Sequence, residues 1–233
     1  MDSIRTMKQS DLRHEVERVV REVLESRLSE ETSAPGVVPL NISARHMHIR
    51  QEDLETLFGS GAQLTKLRDL RQPGEFASEQ TVAVVGPNRR MFERVRILGP
   101  TRSHTQVELS YTDGIYLDMD LPHRLSGDIA GSAPLVLVGP EGVLRLSEGA
   151  IRAMRHIHIN TKTAADWGLQ DGDRVDVRTG GPMSVTFNDV LIRASDQAKL
   201  EMHIDTDEGN AAGLDPREAN HGKILQGVTN GRH

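Results

Sequence analysis

Ser43-Ala44-Arg45-His46-Met47-His48-Ile49 has a near-copy later in the chain, Met154-Arg155-His156-Ile157-His158-Ile159. Each copy reads Arg-His-x-His-Ile. In an extended strand side chains alternate faces, so both imidazoles of a pair stand on one face and Met47 or Ile157 on the other. Two neutral imidazoles converging from one side form a chelate for zinc or a similar borderline cation. A single His-x-His reads most simply as two half-buried strand residues with ordinary hydrogen bonds. Two copies with matching flanks, in a chain with ten histidines, point to metal instead.

The flanks repeat as well. Residues 51–58 pattern as a short helix closed by Gly59, and residues 162–167 as another closed by Gly168. Asp171-Gly172-Asp173 then turns into the alternating strand Arg174-Val175-Asp176-Val177-Arg178. The chain reads as a duplicated unit: strand, His-x-His, short helix, turn, strand. Between the copies, residues 81–85 and 135–138 are short buried strands closed by Gly86-Pro87 and Gly139-Pro140, and Gly99-Pro100 ends a third. Such strands and turns favour barrels or sandwiches over a wound α/β sheet. The expected class is mainly β. The tail from about Gly222 is expected to fray.

Ahead of this lies an amphipathic helix over residues 10–28, with Leu12, Val16, Val19, Val20, Val23, Leu24 and Leu28 on one stripe and Ser10 as N-cap. Ser29-Glu30-Glu31-Thr32-Ser33-Ala34-Pro35-Gly36 reads as a linker. The helix either packs on its own domain or docks in a partner's groove.

The 233 residues carry a net charge of −6, which argues against general nucleic-acid binding. No apolar run approaches the roughly eighteen residues of a membrane span, and no signal-peptide core opens the chain. A soluble, intracellular protein is expected. There is no cysteine, so zinc must sit on His, Asp or Glu. Aromatics make up 3%, so the core rests on Val, Leu and Ile.

A zinc ion takes three or four protein ligands and each pair supplies two. Glu108 shares a strand face with Gln106, and His203 shares one with Glu201 and Asp205. Both are candidate completions, but spacing does not select them over Asp53, Asp113, Asp128 or Asp205. Arg89, Arg90, Arg94, Arg96 and Arg102 crowd a short stretch of an acidic protein, and guanidinium forks match phosphate oxygens. A metal site beside them suggests a phosphate or phosphorylated substrate.

Asn41-Ile42-Ser43-Ala44-Arg45-His46-Met47-His48 resembles the signature of the PduL-type phosphotransacylase family (phosphate propanoyltransferase). So do residues 68–77 (Arg68-Asp69-Leu70-Arg71-Gln72-Pro73-Gly74-Glu75-Phe76-Ala77), 98–102, 105–108, 126–129 and Arg155-His156-Ile157-His158. The resemblance spans about residues 37–220. It implies exchange of CoA and orthophosphate on a short acyl group, propanoyl or acetyl, to give acyl phosphate. It implies one zinc on His46, His48 and Glu108 and a second on His156, His158 and His203. Arg102 would be the phosphate-binding, catalytic arginine, and Ile42, Ser43, Ala44, Arg89, Arg96 and Asn210 the CoA contacts.

The implied fold is two small β-barrel domains capped by short helices, with the first strand joining the C-terminal barrel. Residues 1–33 would be an encapsulation-peptide helix and linker, 37–46 plus 155–222 barrel A, and 47–154 barrel B. Such a peptide implies shell-protein partners and the lumen of a bacterial microcompartment, with a homo-oligomer as a further possibility. The expected mechanism is direct attack of phosphate on the thioester, with the metals as Lewis acids. Two other readings fit the histidine pairs: a dinuclear zinc hydrolase of an ester, amide or phosphoester, and a zinc-stabilised binding module.

Overall fold

A computed structural model describes residues 35–225. The helix expected over residues 10–28 lies outside them. Six strands close barrel A: β1 (Val37–Ser43), β10 (His156–Ile159), β11 (Arg174–Thr179), β12 (Thr186–Ala194), β13 (Glu201–Asp205) and β14 (Asn220–Leu225). Their order is β1-β13-β10-β12-β11-β14, with β14 returning to β1. The first strand thus enters the C-terminal barrel, parallel to β13, with Asn41 beside His203. One expectation is corrected here. The chain does not fray at Gly222, because β14 pairs with both β1 and β11 and closes the barrel.

Barrel B closes through β2 (His46–His48), β4 (Phe76–Val85), β5 (Met91–Gly99), β6 (Gln106–Glu108), β8 (Ala133–Val138) and β9 (Val143–Ala153). The ring runs β4-β5-β2-β6-β9-β8 and back to β4. β3 (Lys66–Asp69) and β7 (His123–Arg124) extend it beside β4 and β9. His46, expected on the barrel A side, is the first residue of β2 and lies in barrel B's sheet.

The duplication holds at the level of register. β2 runs parallel to β5 and antiparallel to β6, as β10 runs parallel to β12 and antiparallel to β13. His46 faces Glu108 across one ladder and His156 faces His203 across the other. Alternation explains which way the imidazoles look. Met47, Ile157 and Ile159 are fully buried in their barrel cores, so the histidines between them point outward. Burying each such side chain stabilises the strand by about 1.5–3 kcal/mol, which fixes the register and with it the histidine face. The two cores are separate and largely aliphatic, built on residues such as Val82, Ile97 and Leu137 in one and Val175, Ile192 and Met202 in the other.

Among the described residues four short helices cap the barrels: α1 (Gln51–Phe58), α2 (Tyr111–Leu117), α3 (Thr161–Asp166) and α4 (Thr206–Ala211). α2 and α4 follow the strands that carry Glu108 and His203, and each starts with a capping box, Ser110 with Asp113 and Asp205 with Glu208. Two of the Gly-Pro strand ends press on helix ends. A Cβ on Gly86 would lie 2.1 Å from the Leu117 carbonyl oxygen, and one on Gly139 would lie 2.3 Å from that of Leu57. Among the described residues no helix is long and apolar enough to cross a membrane.

Candidate metal centre and substrate cavity

The outward histidines of the two barrels face one cavity of about 670 Å³. In barrel B, His46, His48 and Glu108 bring one donor atom each within 4.8 Å of the others, and in barrel A His156, His158 and His203 do the same. Nε2 of His46 lies 3.4 Å from Glu108 Oε2, and the Nε2 atoms of His156 and His158 are 3.1 Å apart. Among the open completions, the structure brings Glu108 and His203 to the pairs. Asp53 is instead bonded to Arg50 and Thr105, Asp113 to Arg45, and Asp205 caps α4.

The strand backbone sets the tautomers. Nδ1 of His46 donates to the Ala44 carbonyl at 2.9 Å, and Nδ1 of His156 donates to the Met154 carbonyl at 2.8 Å. A carbonyl only accepts, so in each neutral ring the lone pair left over is on Nε2. His203 differs: its Nε2 donates to Glu201 at 2.8 Å, which leaves Nδ1 as the free lone pair. Burial, reinforced by the field of His46, pushes the His48 imidazole down to about 3. Burial also lowers His156 to about 4 and His158 to about 3, with neighbouring imidazoles adding to the shift. Burial by itself raises the Glu108 carboxyl, but the fields of His46 and His48 outweigh it and hold the group at about 2. At neutral pH His48, His156 and His158 are therefore bare imidazoles and Glu108 is a carboxylate. Two such three-donor sets, each leaving a coordination position open, fit zinc of the catalytic type.

Gln106 is fully buried under the first cluster. Its amide nitrogen donates to Glu108 Oε1 at 2.6 Å and to Ser126 Oγ at 2.9 Å, and its oxygen accepts from the Gly127 amide at 2.7 Å. Glu201 occupies the equivalent place in barrel A, two residues before His203, and is reached from barrel B by Gln72 at 3.5 Å and Arg71 at 4.0 Å. Arg102 stands in the cavity wall. Its backbone amide donates to Ile49 at 2.8 Å, and its guanidinium is steadied by Glu75 at 2.9 Å and Ser126 at 3.3 Å.

The family model for phosphate propanoyltransferase matches residues 39–215. The chain is 48% identical over 213 residues to the phosphate propanoyltransferase of Planctopirus limnophila, covering 87% of each chain. Over 197 residues it is 47% identical to that of Lachnoclostridium phytofermentans, 84% of this chain and 91% of the relative. The protein of Thermotoga maritima is 48% identical over 181 residues, 77% of this chain and 85% of its own. The chain belongs to the phosphate propanoyltransferase family. It is therefore an acyltransferase.

In this phosphate propanoyltransferase fold Ile42, Ser43, Ala44 and Arg96 line the cavity with the clusters. Arg96 is partly committed, since its guanidinium donates to the carbonyls of Ser78 and Glu79. Arg89 is not among the lining residues. It sits exposed in the β4–β5 turn with φ +67, and Asn210 is exposed on α4. Of the arginine run, Arg96 and Arg102 reach the cavity, while Arg90 and Arg94 face solvent. Sequence reasoning did not single out Arg193, which stands beside His158 in the parallel β10–β12 pairing and lines the same space, because only strand pairing brings it there. Arg68 and Arg71 lie in the wall as well.

Proposed function

We propose that this protein is a phosphotransacylase that interconverts a short-chain acyl-CoA plus orthophosphate with acyl phosphate plus CoA, at a site holding two zinc ions. The observation that carries the reading is the convergence of two zinc-type donor sets, one from each barrel, on a single arginine-lined cavity. His46, His48 and Glu108 would hold one ion, and His156, His158 and His203 the other. Zinc bound there would supply Lewis acidity toward the thioester carbonyl and a soft partner for thiolate.

The chain's own residues provide the rest. Arg102, fixed by Glu75 and Ser126, offers its guanidinium edge to phosphate and orients it toward the clusters. Six arginines line the cavity against four acidic residues, which favours anionic substrates in a chain that is acidic as a whole. A phosphate oxygen attacks the acyl carbon, the carbon–sulfur bond breaks, and the electron pair leaves with sulfur as CoA thiolate. Phosphate is already an anion near neutral pH, so the step requires no dedicated base. Ile42, Ser43, Ala44 and Arg96 border the path for the CoA arm. The amphipathic pattern of residues 10–28 supports docking to microcompartment shell proteins.

The test is thiol release from acetyl- and propanoyl-CoA on adding phosphate. The reading expects release that depends on phosphate and saturates with it. Hydrolysis of either thioester at the same rate without phosphate would favour the zinc hydrolase and reject the transacylase. Deleting residues 1–33 should leave this activity intact and abolish co-assembly with shell proteins. Loss of activity on deletion would mean that the helix packs on the catalytic fold.

A further inference from the structure

A second, smaller recess opens where the two clusters meet, with about 30 Å³ accessible to the centre of a water-sized group. His46, Glu108, His156 and His203 belong to its wall and to that of the large cavity, so the two spaces adjoin at the clusters. Apart from Asp205, whose carboxylate accepts from the Glu208 amide as the cap of α4, the remaining wall pairs off between the halves of the duplication. Ser43 answers Ala153, Ala44 answers Met154, and Leu109 answers Ile204, each at the same distance along the chain from its cluster residue. Leu109 and Ile204 belong to the barrel cores, and Ala44, Ala153 and Met154 are the apolar residues of the wall outside those cores, so the lining offers contact to hydrocarbon.

Size narrows the occupant. One water needs at least about 10–15 Å³ of such space, so this recess takes about two or three heavy atoms. That is too little for phosphate with its ligands or for the pantetheine arm, which must enter by the 670 Å³ cavity. It matches the methyl of an acetyl group or the ethyl of a propanoyl group. A thioester carbonyl set at the clusters, with its CoA arm in the large cavity, turns its alkyl end toward this recess.

We propose that the recess holds the alkyl end of the acyl group, and that Ala153 and Met154 set the limit at two or three carbons. The inference rests on the transacylase reading and adds the residues that select its acyl substrate. Met154 lines the recess, and its backbone carbonyl accepts from His156, so shortening the side chain leaves that hydrogen bond in place.

The experiment measures kcat/KM for acetyl-, propanoyl- and butanoyl-CoA at saturating phosphate in the zinc-loaded full chain and in Met154→Ala and Ala153→Val. One methylene in an apolar pocket discriminates by about 10- to 200-fold. The wild type should disfavour butanoyl- against propanoyl-CoA by at least about tenfold. Met154→Ala should raise the butanoyl-to-acetyl ratio at least about tenfold, and Ala153→Val should lower the propanoyl-to-acetyl ratio by a similar factor. A wild type indifferent to chain length would overturn the proposal, as would active variants whose ratios stay within about twofold of wild type. Ala153→Gly, which removes a single methyl, carries the same ratio test if either variant folds poorly. Absence of thiol release from every acyl-CoA in the wild type would instead reject the transacylase reading itself.

Discussion

Gln106→Leu removes a buried side chain that ties Glu108 to the loop bearing Ser126. The residue is fully buried, and leucine has a similar volume, so the change is chiefly one of hydrogen bonding. The bond to ionised Glu108 is worth about 1.5–3 kcal/mol, and those to Ser126 and the Gly127 amide about 0.5–1.5 kcal/mol each. Together these come to roughly 2.5–6 kcal/mol, with the lower half expected because Ser126 Oγ still accepts from Arg102. A chain of this size shifts its midpoint by about 2–4 °C per kcal/mol, so about 6–12 °C should be lost for a 3 kcal/mol effect. A second consequence is separable. Glu108 loses a donor that orients its carboxylate, and loss of such a partner lowers metal affinity by about 10- to 100-fold. Thermal unfolding of the metal-free protein and zinc titration against a chromophoric chelator read the two effects independently. A midpoint within about 2 °C of wild type together with zinc affinity within about threefold would refute the account of how Glu108 is held.

Three further outcomes can be checked directly. Arg102→Ala should cost about 100-fold or more in kcat/KM for phosphate, roughly 3 kcal/mol of charge stabilisation, and an unchanged rate and phosphate KM would remove its role. The metal-free protein should lose stability as pH falls from about 6.5 toward 4. His48, His156 and His158 have folded values below the ordinary 6.5, so the unfolded chain takes up protons that the folded chain excludes. The effect is full stability above that window and up to about 3 kcal/mol lost for His156 alone by pH 4; a flat melting profile from pH 7 to 4 would contradict it. Gly139→Ala should destabilise by about 1–3 kcal/mol in chemical unfolding, because its Cβ would meet the Leu57 carbonyl at 2.3 Å; wild-type stability would show that α1 yields freely.

Much of this molecule is legible in the sequence because its information is periodic and local. The repeat of Arg-His-x-His-Ile announces the duplication, and strict alternation around Met47 and Ile157 tells which face the imidazoles take. The same logic carried Glu108 and His203 as candidates, but the choice between them and the nearby aspartates depended on strand pairing. Asp113 and Asp205 look equally suited in sequence, yet each is drawn into a helix capping box. α2 escaped notice because Gly114 and the β-branched Thr112 and Ile115 weaken its propensity, although Ser110-x-x-Asp113 was a readable start signal. Arg193 could not be read locally at all. Its place at the cavity comes from β12 lying beside β10, a contact between segments far apart in the chain.

The central claim is that two metal-donor sets, one from each barrel, act together on one thioester. Stepwise return of zinc to metal-free protein, with bound metal and phosphate-dependent thiol release recorded on the same samples, tests it most directly. The account predicts activity that climbs with bound zinc and levels off at two ions per chain. Full activity in protein that elemental analysis shows to hold no transition metal would contradict it.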